Sequence, residues 1–181
     1  MKQLMDSRAI DDALAKIGSQ IIGNHPQLEE LALLGIRNKG LELARRICAK
    51  INLQAGKELP VGVIDTSLYR DDVNMASRRP VLCGTDVPVA VDHKRIILVD
   101  DVLYTGRTIR AALDAITDLG RPMSIHLAVL IDRGHRELPI HADYIGMTIS
   151  TTRQESVRVL FKKDPAQDEV VLLQEPELLK W

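Results

Sequence analysis

Two adjacent carboxylates, Asp100 and Asp101, follow the apolar run Ile96-Ile97-Leu98-Val99. Val102 and Leu103 join them to the polar turn Tyr104-Thr105-Gly106-Arg107-Thr108. Beyond the turn, Ile109, Leu113 and Ile116 recur at helical spacing. A buried strand, an acidic pair, a hydroxyl-and-glycine turn and a helix form an anion site at a helix N-terminus. Free backbone N–H groups and the helix dipole favour a phosphate there. Gly106 allows close backbone approach, and Thr105 and Thr108 supply hydroxyl donors. The carboxylates repel a phosphate, so they suit ribose hydroxyls, which donate hydrogen bonds, or the surroundings of a metal. The competing reading is a strand, an acidic turn and a capped helix with no ligand.

A second basic turn, Arg37-Asn38-Lys39-Gly40, follows the apolar segment 31–36. It lies where a strand ends and a helix over 41–52 begins, a place where open α/β sheets bind ligands. A third cluster, Asp132-Arg133-Gly134-His135-Arg136-Glu137, follows the apolar strand 124–131. Base recognition through Arg133, RNA contacts through His135 and Arg136, and a charged surface loop are all open readings of it. The polar, proline-punctuated stretch 73–89 is predicted to be a long functional loop, with Arg78 and Arg79 in it and Tyr69 and Arg70 leading into it.

The remaining elements must position these groups. Residues 9–22 read as a helix capped by Asp6 or Ser7, with Ile10, Leu14, Ile17 and Ile21 as its apolar stripe. His25 reads as a solvated turn residue. Residues 61–67 and 140–145 read as strands, and 156–161 with 169–173 as a hairpin. Alternating helices and buried strands predict an α/β fold with a mostly parallel sheet.

The 181 residues suit one domain, and 45% hydrophobic content argues for a packed core. One Trp and one Phe leave that core aliphatic. No apolar run reaches membrane-span length, and the acidic start predicts no export signal. Cys48 and Cys83 lack metal-ligand spacing and read as free thiols in a reducing cytoplasm. A net charge of −1 gives no whole-chain case for nucleic acid, so an RNA site would need a local cluster of cations.

The run LVDDVLYTGRT resembles the phosphoribosyl-diphosphate (PRPP) signature of type I phosphoribosyltransferases and is most similar to that of the PyrR family. The resemblance implies uracil phosphoribosyltransferase activity, forming UMP and diphosphate, together with UMP-responsive regulation of pyrimidine genes through a leader RNA. It implies a twisted, mostly parallel sheet flanked by helices, with a core over about 28–132 and a small hood from 1–27 and 133–181. The PRPP segment would span Ile96 to Thr108, with Asp100 and Asp101 on the ribose. Arg37, Asn38, Lys39, Gly40, Tyr69, Arg70 and Arg78 would serve the diphosphate, Arg78 acting as charge develops on it. Arg133, Tyr144 and Ile145 would meet the base. Mg²⁺ would arrive with PRPP, near Asp100 and Asp101. Purine-using relatives carry an Asp where Tyr104 stands, so a pyrimidine is expected. RNA contacts would fall to Lys16, Lys39, His135, Arg136 and Arg153. A cytoplasmic homodimer or higher oligomer is implied. Two departures from the family pattern bear on RNA and diphosphate: Asp11 and Asp12 on the first helix, and Asn38 where a threonine is usual.

Overall fold

The structure is a computed structural model that describes residues 1–67, 69 and 84–174. Five parallel strands form the main sheet: β2 (Leu31–Ile36), β3 (Val61–Ile64), β4 (Arg95–Leu103), β5 (Ser124–Asp132) and β6 (Tyr144–Thr148). Their order is β3-β2-β4-β5-β6. All six residues of β2 are buried, as a strand covered on both faces requires. Side chains of β4 alternate between two cores. Ile97 and Val99 pack with Ile17, Ile47 and Ile51 on one face. Ile96 and Leu98 pack with Ile109, Ala112 and Ile116 on the other. The continuous apolar run therefore serves helices on both sides.

Helices α1 (Ser7–Asn24) and α2 (Lys39–Ala55) cover the first face, and α3 (Arg107–Leu119) covers the second. Asp6 caps α1 by accepting from the Ala9 N–H at 2.8 Å. The α1 stripe is Ile10, Leu14, Ile17 and Ile21, as its 3.6-residue period predicts. At its far end His25 is buried, not solvated, with Nε2 3.0 Å from the Tyr144 hydroxyl. Burial, aided by the nearby His126 and Arg95, lowers the His25 pKa against an opposing pull from Asp143.

Strands β1 (Lys2–Met5), β7 (Glu155–Leu160) and β8 (Glu169–Gln174) form a separate antiparallel sheet, ordered β1-β8-β7. The expected C-terminal hairpin is the β7–β8 pair. The main sheet continues past residue 132, because β6 pairs in parallel with β5 from Ala128–Tyr144 to Asp132–Thr148. α1 lies against α2 and β6, so it belongs to the flanking helix layer of this sheet. Cys48 is a free, buried thiol donating to the Leu59 carbonyl at 3.4 Å.

Candidate active site

Strand β4 outruns its neighbour β2. The last paired residue of β2 is Gly35, opposite Val99. β4 continues to Leu103, paired only with β5. Asp100 and Asp101 thus lie within the strand where one partner stops, and the apolar run alone marks its end too early. α2 begins beside this gap. Its first residue, Lys39, sets Nζ 3.1 Å from Asp101 Oδ2. Gly40 makes that approach possible: a Cβ on it would stand 2.5 Å from the Val99 carbonyl oxygen. Asn38, at the head of α2, has a φ of 71°.

Asp100 is buried, with 7% of its surface exposed. Desolvation first, and the neighbouring Asp101 charge second, push its pKa up to about 8, while Lys39 pulls the other way. The carboxyl pair therefore holds a proton near neutral pH. The Asp101 N–H donates to Asp100 Oδ1 at 2.9 Å, and the Val102 N–H to Asp101 Oδ1 at 3.0 Å.

Past Leu103 the chain turns at Gly106, whose φ of 93° favours glycine. α3 starts at Arg107, and Gly106 before it offers no side-chain cap to the first N–H groups of the helix. The Arg107 N–H donates to the Thr105 hydroxyl at 3.4 Å. A cavity of about 330 Å³ opens here, lined by Asp100, residues 102–109 and Glu137. A larger cavity of about 670 Å³ lies elsewhere, between Cys48, Leu59, Pro60 and neighbouring residues of α2. It has no helix N-terminus and no acidic pair, so the smaller cavity is the chemical one.

Glu137 brings the 133–138 loop to the other side of the small cavity. The Arg133 guanidinium lies 4.1 Å from the Tyr104 ring centroid. It donates to the Thr151 hydroxyl and to the carbonyls of Thr152 and Glu155. Arg136 donates from Nη1 to the Leu103, Tyr104 and Gly134 carbonyls and from Nε to that of Ile140. Its Nη2 meets Asp132 Oδ2 at 2.5 Å. The Glu137 and Leu138 N–H groups both donate to the Thr105 carbonyl.

A model of the phosphoribosyl transferase domain matches residues 1–161. The chain is 47% identical over 175 residues to the bifunctional protein PyrR of Pelotomaculum thermopropionicum, covering 97% of each. It is also 47% identical to that of Deinococcus radiodurans, covering 98% of this chain and 96% of the relative. The chain belongs to the PyrR family. Its fold is the type I phosphoribosyltransferase fold. Hypoxanthine phosphoribosyltransferase of Trypanosoma cruzi superposes with a TM-score of 0.71 at 17% identity, covering 97% of this chain and 98% of that one. The Leishmania tarentolae enzyme in complex with GMP gives 0.66 at 20% identity, covering 83% and 82%. These structures speak for the fold.

The expected PyrR-family site residues separate into three groups. Asp100, Asp101, Lys39, Gly40 and residues 102–108 meet at one edge of the sheet. Arg37 flanks them in an ion pair with Asp65. Burial opposes ionisation of Asp65, but hydrogen bonds from Ser67 and the Arg37 charge outweigh it and lower its pKa. Arg70, Arg78 and Arg79 lie outside the described residues. The third group is not brought to the cavity. The Tyr69 hydroxyl donates to Asp118 at 2.6 Å, near the C-terminal end of α3 and far from its phosphate end. Tyr144 begins β6 level with Ala128, and its hydroxyl is held by Asn24 and His25. Ile145 packs into the α3-side core. The sequence pattern puts both at a strand end, but the strand runs 144–148, so they lie at its start.

Among the RNA candidates, Lys39 stands at the acidic pair, through its ion pair with Asp101. Lys16 Nζ donates to the Ile145 carbonyl on β6. His135 Nε2 lies 2.6 Å from the Thr151 carbonyl oxygen. Arg136 points inward, and Arg153 is exposed. Glu137 is a site residue that sequence reasoning misses. Its only signal there is an acid at the end of a basic strand-end cluster.

Proposed function

We propose that the chain transfers a 5-phosphoribosyl group from PRPP to uracil, releasing diphosphate and UMP. The observation that carries this reading is the meeting of Asp100 and the α3 N-terminus on one cavity, with Asp101 beside Asp100 in an ion pair with Lys39. The N–H groups at residues 106–109 and the Thr105 and Thr108 hydroxyls receive the 5′-phosphate. Asp100 and Asp101 accept from the two ribose hydroxyls. Breaking the anomeric C–O bond leaves positive charge on the ribose and negative charge on the diphosphate. The negative charge that the carboxyl pair retains stabilises the first, and Lys39 with the Arg37 loop stabilises the second. Holding both ends of PRPP fixes the anomeric carbon for attack by the base nitrogen. The 133–138 loop beside the cavity limits water access.

Among the described residues no group of three His, Cys, Asp or Glu is arranged to hold a metal. The oxygen groups of Asp100 and Asp101 would nonetheless suit a Mg²⁺ ion brought in with PRPP. When bound, Mg²⁺ neutralises charge on the leaving group.

The base is a pyrimidine. Tyr104, stacked under Arg133, offers no carboxylate to a purine imidazole ring. Arg133 acts on the base through this stacked ring, since three of its hydrogen bonds go to the 151–155 segment.

The same chain regulates pyrimidine genes by binding a leader transcript in its UMP-bound state, in the cytoplasm and as a homo-oligomer. Family membership supports this second role, and the 133–138 loop supports its coupling to nucleotide, since it touches the phosphate loop. Crystals soaked in UMP test the first role. The phosphate should lie on residues 105–108 and the ribose on Asp100 and Asp101. A nucleotide bound elsewhere would contradict the reading.

A further inference from the structure

The Tyr104 ring is held on two sides. The Arg133 guanidinium carbon lies over it, 4.1 Å from the ring centroid. The His135 ring meets it edge-on, with centroids 5.8 Å apart and planes at 70°. Tyr104 lines the small cavity, so whatever fixes these two neighbours fixes part of the site.

Both neighbours are tied to one residue, Thr151, in the segment between β6 and β7. Its hydroxyl accepts from Arg133 Nε and donates to the Arg133 carbonyl, each at 3.2 Å. Its own carbonyl oxygen lies 2.6 Å from His135 Nε2. A carbonyl only accepts, so His135 carries a proton on Nε2. His135 also takes a φ of 60°, a left-handed conformation that costs a non-glycine residue energy. The bond to Thr151 helps to hold it there.

Arg133 is buried, and its other hydrogen-bond acceptors, the Thr152 and Glu155 carbonyls, are backbone atoms. Thr151 Oγ1 is the acceptor that belongs to a side chain. A buried guanidinium N–H that loses its acceptor is costly, and the group shifts to recover one. We propose that Thr151 is a positioning residue for the base. Through Arg133 and His135 it sets the angle at which the Tyr104 ring meets the pyrimidine. Thr151 does not line the cavity and acts only through these neighbours. The Tyr104 backbone has a separate support, since its carbonyl accepts from Arg136 Nη1 at 2.9 Å. A change at Thr151 therefore falls on the Tyr104 ring and the base, and leaves the phosphate loop in place.

This inference rests on the phosphoribosyltransferase reading. Its test is steady-state UMP formation by the full chain, with uracil and PRPP varied in turn. Thr151→Val keeps the shape and the backbone carbonyl but removes the hydroxyl. Thr151→Ala removes the hydroxyl without a buried methyl to accommodate, and Thr151→Ser restores it. Val and Ala should each raise the KM for uracil about fivefold, the worth of one net hydrogen bond, with the KM for PRPP unchanged. Ser should return the uracil KM to the native value. A rise confined to uracil and reversed by Ser supports the proposal. A native uracil KM in the Val or Ala variant overturns it. An equal rise in both KM values also overturns it, because that marks a general loosening, as does a Ser variant as impaired as Ala. If the native chain forms no UMP, the phosphoribosyltransferase reading fails first. If it forms UMP and the variants match it, only the role of Thr151 fails.

Discussion

Asp100 and Asp101 carry much of their meaning in their residue type and their place in the chain. Two acids after an apolar run and ahead of a hydroxyl-rich turn are enough to suggest a sugar beside a phosphate. Their protonation is not legible in the sequence, because it depends on burial and on Lys39 across the gap between β2 and β4. That protonation has a measurable consequence. Asp100 keeps its proton up to about 8 in the folded chain, against an ordinary 3.8. Between those values the folded state binds more protons than the unfolded state, so stability falls as pH rises. The slope from this group is at most about 1.4 kcal/mol per pH unit. Asp100→Asn should flatten it, so the variant should gain on the native chain in stability between pH 5 and pH 8. Urea unfolding at the two pH values measures this. Parallel pH profiles for the two proteins would contradict the assignment. Arg133 and Arg136 are harder to read. A charged stretch after a strand looks solvated, yet both guanidiniums turn inward to backbone carbonyls near the strand ends. Nothing in a linear sequence shows which carbonyls those are.

At the scale of elements, the helices and buried strands follow from periodicity, and their boundaries do not. β4 runs four residues beyond its apolar stretch because pairing with β5 continues through the acidic pair. β6 starts at Tyr144, so Tyr144 and Ile145 lie at its beginning and not at a catalytic end. A boundary shift of this kind moves a residue from site to core, and alternation alone cannot detect it. The close approach of α2 to β4 depends on a single small residue. A Cβ at position 40 would meet the Val99 carbonyl oxygen, a backbone atom that cannot swing aside. Gly40→Ala should therefore destabilise the fold by about 3 kcal/mol. It should also move Lys39 away from Asp101 and weaken PRPP binding. Denaturant unfolding and PRPP titration check both effects. Native stability in the variant would show that α2 does not pack as described.

For the whole molecule, the net charge of −1 makes RNA binding a matter of local cations. His135 and Arg136 are candidates by sequence, but Arg136 holds the carbonyls of Leu103 and Tyr104 and His135 is bound to Thr151. Asp11 on α1 is paired with Lys50, which removes one cation from that surface. Leader-RNA binding should fall with salt at a shallow slope, roughly 0.7 log units per contact per tenfold salt. Replacing both His135 and Arg136 by alanine should lower phosphoribosyl transfer as well as RNA binding. Arg153→Ala should affect RNA alone. Gel-shift titrations beside a UMP-forming assay separate the two. Full transferase activity in the His135/Arg136 variant would contradict the structural role of Arg136. The fold class is legible at this scale because alternating helices and strands leave few topologies. The separate β1-β8-β7 sheet is only half legible: the β7–β8 hairpin is local, but its pairing with β1 spans nearly the whole chain.

The central claim is the transfer of a phosphoribosyl group to a pyrimidine. The direct measurement is UMP formation from uracil, PRPP and Mg²⁺, run beside hypoxanthine and guanine at equal concentrations. The account predicts UMP formation that Asp100→Asn with Asp101→Asn abolishes, and purine turnover far below that of uracil. Purine turnover exceeding uracil turnover, or undiminished UMP formation in the double variant, would contradict it.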